Sequence, residues 1–193
     1  MRVAVFSGSF DPPHKGHLAV ANYLLQKEDF DEVWFTVTPH NPLKEKQALS
    51  PATVRIAMIE TIIAGQADFR VCDIECTLPQ PSYTINTLTE LCKRYLQHTF
   101  TLVIGADNWT NFRLWKDYDK LAREFHIMIY PRKGNEVVIP QEYPNVQRIA
   151  APTINISSTT LRQAAARGDL RRYARFLHPE ILDYIIKENL YVV

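Results

Sequence analysis

The chain is predicted to be an α/β protein: a doubly wound parallel sheet with helices on both faces and a C-terminal helical segment. Three observations carry that expectation. Short β-branched or apolar runs alternate with stretches whose apolar residues recur at helical spacing. One run, Phe100-Thr101-Leu102-Val103-Ile104, is nearly continuous in apolar character, as a central parallel strand covered on both faces must be. The residues of unusual chemistry follow the first, second and fourth runs, where an open parallel sheet binds its ligands.

Met1 to Phe6 forms the first strand, and Gly8, Ser9 and Asp11-Pro12-Pro13 make a tight turn leaving it. Leu18, Ala19, Val20, Ala21, Leu24 and Leu25 then mark a helix beginning near His17. Glu32 to Thr38 is the second strand, stopped by Pro39 and followed by a loop through Lys46. Ser50 as N-cap and Pro51 at the first helical position open a helix whose buried stripe is Val54, Ala57, Met58, Thr61 and Ile62, ending at Gly65. Phe69 to Ile74 is the third strand. The prolines at 79 and 81 break the chain before a helix through Ile85, Leu88, Leu91, Cys92 and Leu96.

The fourth strand runs into Gly105-Ala106-Asp107. Helical segments carry Trp109, Phe112 and Trp115 and then reach Leu121. Phe125 to Tyr130 is the fifth strand, closed by Pro131, and Val146 to Ile149 a short sixth. Ser158 to Arg167, Asp169 to Phe176 and Pro179 to Asn189 close the chain as helices. No repeat, low-complexity tract or linker interrupts this series. Residues 1–193 are therefore expected to form one domain, with the helices from about 157 packed on it.

Bulk properties exclude several classes. An apolar fraction of 46%, a charged fraction of 22% and a net charge of +1 are those of a soluble globular protein. They give no global attraction to nucleic acid or membrane, so any basic site is local. Cys72, Cys76 and Cys92 make neither a C-x-x-C pair nor an even disulfide set and read as small hydrophobes in a reducing compartment. With no signal-peptide pattern and no apolar run near the roughly 20 residues that span a bilayer, the protein is expected to be cytoplasmic.

Strand, small-residue turn and helix N-terminus together make an anion site, because the first helical turn leaves backbone N–H groups unpaired and its dipole favours negative charge. Gly8 and Ser9 would let a phosphate approach the backbone. His14 and His17 lie three apart and share a face of the first turn, where two solvent-facing imidazoles and Lys15 would converge on one phosphate. Either histidine alone would read as a surface residue behind a Pro-capped helix start; the pair behind a Gly-Ser turn points to phosphate. Neither a P-loop nor a Gly-x-Gly-x-x-Gly spacing is present. Near the C-terminus, Ser157, Ser158, Thr159 and Thr160 open a helix from which Arg162 can grip phosphate oxygens with two N–H donors.

Ser9-Phe10-Asp11-Pro12-Pro13-His14-Lys15-Gly16-His17 resembles the T/S-F-D-P-x-H-x-G-H motif of the nucleotidyltransferase superfamily. Ile156-Ser157-Ser158-Thr159-Thr160-Leu161-Arg162 resembles its second motif, I-S-S-T-x-[IL]-R. Three further stretches resemble the bacterial nicotinate-nucleotide adenylyltransferases: Asn41-Pro42-Leu43-Lys44, Pro81-Ser82-Tyr83-Thr84 through Leu88, and Ile104-Gly105-Ala106-Asp107 with Trp115 beyond it. The C-terminal Pro179 to Tyr191 matches as well.

The resemblance implies a Rossmann-like fold and transfer of AMP from ATP to nicotinate mononucleotide, with Mg²⁺ carried by ATP rather than held in a carboxylate cage. It implies His14, His17 and Arg162 at the ATP phosphates with Lys44 assisting, and Gly8, Ser9, Phe10, Gly105, Asp107, Ile156, Ser157 and Ser158 around ATP. Ser9, Lys44, Tyr83, Thr84, Trp115 and Lys116 would meet the nicotinate nucleotide, Thr84 receiving the carboxylate at a helix N-terminus and Trp115 stacking on the ring. Lys116 stands where relatives commonly have Tyr. Nicotinamide mononucleotide or phosphopantetheine as acceptor, and a nucleotide-binding regulator without turnover, are the alternatives. No nucleic-acid or membrane partner is expected, and homo-oligomerisation is left open.

Overall fold

The computed structural model describes residues 1–39 and 49–192. Six strands form one sheet: β1 (Arg2–Gly8), β2 (Glu32–Val37), β3 (Phe69–Cys72), β4 (Thr99–Gly105), β5 (His126–Tyr130) and β6 (Val146–Arg148). Their order is β3-β2-β1-β4-β5-β6, and every neighbouring pair is parallel. The helices are α1 (Lys15–Lys27), α2 (Ala52–Ile63), α3 (Ile74–Thr77), α4 (Thr84–Arg94), α5 (Ala106–Thr110), α6 (Tyr118–Glu124), α7 (Ser158–Ala166) and α8 (Pro179–Lys187), with 3₁₀ segments at Phe112–Leu114 and Leu170–Phe176. The doubly wound, Rossmann-like arrangement expected from the sequence is the one present.

Alternation along β1 sorts the core into two layers. Ala4 and Phe6 pack on one face of the sheet with Val33, Phe35 and Val103 and with Val20 and Leu24 of α1, Ile59 of α2, Leu161 of α7 and Ile181 of α8. Val3 and Val5 pack on the other with Trp34, Leu102 and Ile104, Leu88 and Leu91 of α4, and Leu121 of α6. A strand stretch covered on both faces is apolar throughout, which is why residues 3–6 of β1 and 102–104 of β4 show no polar period. Among the described residues no helix is long and apolar enough to cross a membrane.

Several boundaries differ from the sequence reading. Pro51, not Ser50, is the N-cap of α2, and no side chain accepts a capping hydrogen bond there. The buried stripe of α2 is Arg55, Met58, Ile59, Ile62 and Ile63, one residue out of phase with the expected one, and Ala57 is exposed. The shift arises because a buried arginine occupies the stripe's first position. The third strand ends at Cys72, and Ile74 opens α3 instead. Leu96 is 82% exposed because α4 ends at Arg94, and Cys92 is exposed on its outer face. Phe125 caps α6 rather than starting β5.

Candidate active site

Strand order reverses at β1. The chain leaves β1 toward β2 and β3, then returns to lay β4 on the other side, so the loops after β1 and β4 diverge and leave a crevice between them. A cleft of about 490 Å³ lies there, lined by Gly8, Ser9, Phe10, His17, Asp107, Ile156, Ser157, Ser158 and Arg162 from the expected set. Residues from the two ends of the chain thus meet in one place.

His14 and His17 are stacked, with ring centroids 3.7 Å apart and planes inclined by 20°. His14 is the N-cap of α1: its Nδ1 accepts the Gly16 N–H at 3.1 Å, while His17 Nδ1 accepts the His14 N–H at 3.1 Å. A neutral imidazole that accepts at Nδ1 carries its proton on Nε2. Both rings are therefore Nε2–H donors. Contrary to expectation neither faces solvent; they are 2% and 7% exposed, and His17 packs against Phe6 and Phe10. Burial, with the nearby Arg132 charge, lowers His14 to about 3; burial, then His14 and Arg132, hold His17 well below its ordinary value. Buried His14 Nε2 has no protein partner among the described residues. Lys15 is exposed, and neither it nor His14, which lies behind His17, lines the cleft.

The turn before them is arranged by packing. A Cβ on Gly8 would fall 2.9 Å from the Phe10 ring, so Gly8 makes room for that ring. Phe10 takes φ +48° and is 2% exposed among Phe6, Phe35 and His17. Asp11 is wholly buried and ties three segments together. Its carboxylate accepts the Tyr191 hydroxyl at 2.6 Å and the Ser50 N–H at 3.0 Å, and its carbonyl accepts Arg162 Nη1 at 2.6 Å.

The hydroxyls of the second motif are mostly engaged within the protein. Ser157 caps α7 by accepting the Thr160 N–H at 3.1 Å, and Ser158 donates to the Pro12 carbonyl at 2.9 Å. Arg162 Nη2 donates to Thr159 Oγ1 at 3.3 Å. The guanidinium is thereby held at the wall of the cleft that His17 also lines.

Asp107 stands at the start of α5, beside β4. Gly105 does not line the cleft; a Cβ there would collide with Asp107 Oδ1 and touch the Tyr130 ring at 3.1 Å. Sequence reasoning missed Arg132 and Lys133, which follow β5 and line the same cleft. Arg132 Nε lies 3.7 Å from Asp107, and its Nη2 donates to the Tyr130 hydroxyl at 3.2 Å. Neither carries a sequence pattern of its own; they come into view only because the strand they follow pairs with β4, at the switch point.

Two buried ionisable residues also escaped. Arg55 of α2, 1% exposed, donates to the carbonyls of Ser9, Thr38, Pro39 and Ser50, lashing together the loops after β1 and β2. Glu75 of α3 is the other, 2% exposed.

Tyr83, Thr84, Trp115 and Lys116 do not line this cleft. Lys116 Nζ sits 4.6 Å from the centre of the Tyr83 ring, so those two are brought together, while half-buried Trp115 packs 5.4 Å from Phe112. Lys44 and the rest of the loop at 40–48 lie outside the described residues.

Comparison with known proteins agrees with this geometry. Residues 5–164 match the cytidylyltransferase-like family. Proteins named "Probable nicotinate-nucleotide adenylyltransferase" from Bacteroides fragilis and Bacteroides thetaiotaomicron are 46% and 43% identical, over 97% and 96% of this chain and 92% and 91% of theirs. In fold the chain is similar to the Plasmodium falciparum nicotinic acid mononucleotide adenylyltransferase complexed with NaAD, with a TM-score of 0.85 and 23% identity over 98% of this chain and 97% of that one. With its two motifs closed around one cleft and relatives of this similarity along its whole length, the chain belongs to the cytidylyltransferase-like family, in the group of the nicotinate-nucleotide adenylyltransferases.

Proposed function

We propose that the chain transfers the adenylyl group of ATP to nicotinate mononucleotide, releasing pyrophosphate and nicotinate adenine dinucleotide for NAD biosynthesis. The observation that carries this reading is the meeting of His17 and Arg162, from opposite ends of the chain, in one cleft at the strand-order switch. The mononucleotide phosphate attacks the α-phosphorus of ATP in line; the new P–O bond forms as the bond to pyrophosphate breaks. The attacking group is already an anion, so no protein nucleophile or base is needed. Catalysis is positioning and charge stabilisation.

In this reading the Nε2–H groups of His14 and His17 donate to ATP phosphate oxygens, giving the orphaned His14 Nε2 its acceptor. Arg162 supplies fixed positive charge, Arg132 and Lys133 add more along the cleft wall, and Lys44 assists. Gly8, Ser9, Phe10 and Ile156 shape the nucleotide cavity, and Asp107 accepts from ribose or adenine. Among the described residues no three metal-binding side chains gather, and ATP brings Mg²⁺ with it. Thr84 at the start of α4 takes the nicotinate carboxylate, with Tyr83, Trp115 and Lys116 around the ring. The chain acts as one cytoplasmic domain.

The test is pyrophosphate release from ATP with nicotinate mononucleotide, nicotinamide mononucleotide or phosphopantetheine as acceptor. The acid nucleotide should give turnover, with nicotinate adenine dinucleotide as product. Silence with all three would make the protein a nucleotide-binding regulator.

A further inference from the structure

The buried carboxyl of Glu75 has no part in the transfer just described, yet it organises the segment assigned to the pyridine. Glu75 Oε2 accepts the Ser82 hydroxyl at 3.1 Å, and Oε1 accepts the Thr87 hydroxyl at 3.2 Å. The intervening loop folds back on the same residue: the Gln80 side-chain amide donates to the Glu75 carbonyl at 2.8 Å, and Ser82 N–H donates to Gln80 Oε1 at 3.3 Å. These bonds fasten both flanks of Tyr83-Thr84, where α4 begins. Tyr83, the N-cap, offers the first turn no side-chain hydrogen bond.

Hydroxyl-to-amide bonds would hold this loop without burying an ionisable group, so an acid here calls for another reason. Burial pushes the Glu75 carboxyl up to about 7, opposed by the hydroxyls of Ser82, Thr87 and Thr38 and by the Arg55 guanidinium of α2. Cys76, on the same helix, is also in electrostatic contact with it.

We infer that Glu75 is a positioning residue for the pyridine end of the site: it fixes the first turn of α4 through Ser82 and Thr87, and its charge state sets how strongly that turn prefers a ligand carboxylate over a carboxamide. The inference rests on the reading that this turn receives the nicotinate carboxylate. A helix N-terminus carries roughly half a positive charge, and an ionised carboxyl beside it cancels part of the attraction for a second anion. A protonated Glu75 leaves that attraction intact. Binding of the acid nucleotide and protonation of Glu75 therefore assist one another, and discrimination against the amide falls as pH rises through neutrality. The phosphate is common to both nucleotides and cancels in the ratio.

The experiment is calorimetric titration of the intact protein with nicotinate mononucleotide and with nicotinamide mononucleotide, at about pH 6 and about pH 8.5. For the wild type, the ratio of amide to acid dissociation constants should fall about three- to tenfold over that range. Glu75→Gln retains an acceptor without a charge, and its ratio should be independent of pH. Glu75→Ala releases the turn; it should weaken acid-nucleotide binding about tenfold at the lower pH, show a smaller deficit at the higher pH where the wild type has itself lost affinity, and leave ATP affinity within about twofold. A selective wild type whose ratio ignores pH, or a Glu75→Gln protein that keeps the wild-type slope, overturns the inference alone. A wild type that binds the amide as tightly as the acid at the lower pH overturns the underlying reading and this inference with it.

Discussion

Truncating His17 disturbs two things at once, since its ring meets Phe6 and Phe10 on one side and the cleft on the other. His17→Ala is expected to lower kcat by about 10²–10³, the usual cost of a donor to developing charge, and also to cost about 1–3 kcal/mol of stability. Steady-state rates beside a urea melt check both; unchanged turnover would remove His17 from the mechanism. Arg162→Lys keeps the charge but loses the planar fork that bonds Asp11 and Thr159. It should raise KM for ATP and lower kcat together, about tenfold or more in kcat/KM; wild-type kcat/KM would refute this. At this scale the sequence pointed to two rings that the structure brings together, though buried rather than facing solvent. His-x-x-His marked the site, but only the packing shows that both rings are buried, neutral and tied down at Nδ1. Arg132 left no pattern of its own and became visible once β5 was placed beside β4.

Elements meet the site through a few buried bonds. Asp11 links the loop after β1 to α7 through Arg162, to the start of α2 through Ser50 and to the C-terminal segment through Tyr191. Tyr191→Phe deletes a donor to a fully buried carboxylate, and should cost about 1–3 kcal/mol, read as a lowered thermal midpoint; an unchanged midpoint would mean the bond is not formed in solution. Helix positions were legible from apolar spacing because every helix needs one buried stripe. The phase of α2 was not, since its buried stripe begins with an arginine rather than an apolar residue. Its four carbonyl partners come from segments that sequence spacing cannot bring together. The end of the third strand was misread likewise, because Ile74 suits a strand as well as the first turn of a short helix.

Across the whole molecule, the parallel sheet and its switch point followed from the alternation of runs and from one nearly all-apolar strand, whereas the charges inside the fold did not. Those charges set the pH response. His14 and His17 titrate below their unfolded values, so the stability they contribute is present above about pH 6.5 and is lost as pH falls toward their folded values. Glu75 is raised to about 7, so its contribution is present below about 4.5 and is lost as pH rises through 7. Between about pH 5 and 6 the unfolded chain gains two protons from the histidines and loses one from Glu75. Stability should thus rise with pH by about 1.4 kcal/mol per unit. His14→Asn, which keeps a capping side chain, should flatten that slope, and Glu75→Gln should about double it. Urea unfolding of the three proteins across that window checks the signs, and equal slopes would contradict them.

The central claim is that two neutral imidazoles hold the ATP phosphates through their Nε2–H groups. Nitrogen-15 NMR of the histidines at neutral pH, with and without ATP, tests it most directly. His14 and His17 should each show a bare Nδ1 and a protonated Nε2 in the free protein, and adding ATP should shift both Nε2–H resonances while leaving His126 unmoved. Imidazolium signals in the free protein, or Nε2–H resonances indifferent to saturating ATP, would contradict the account.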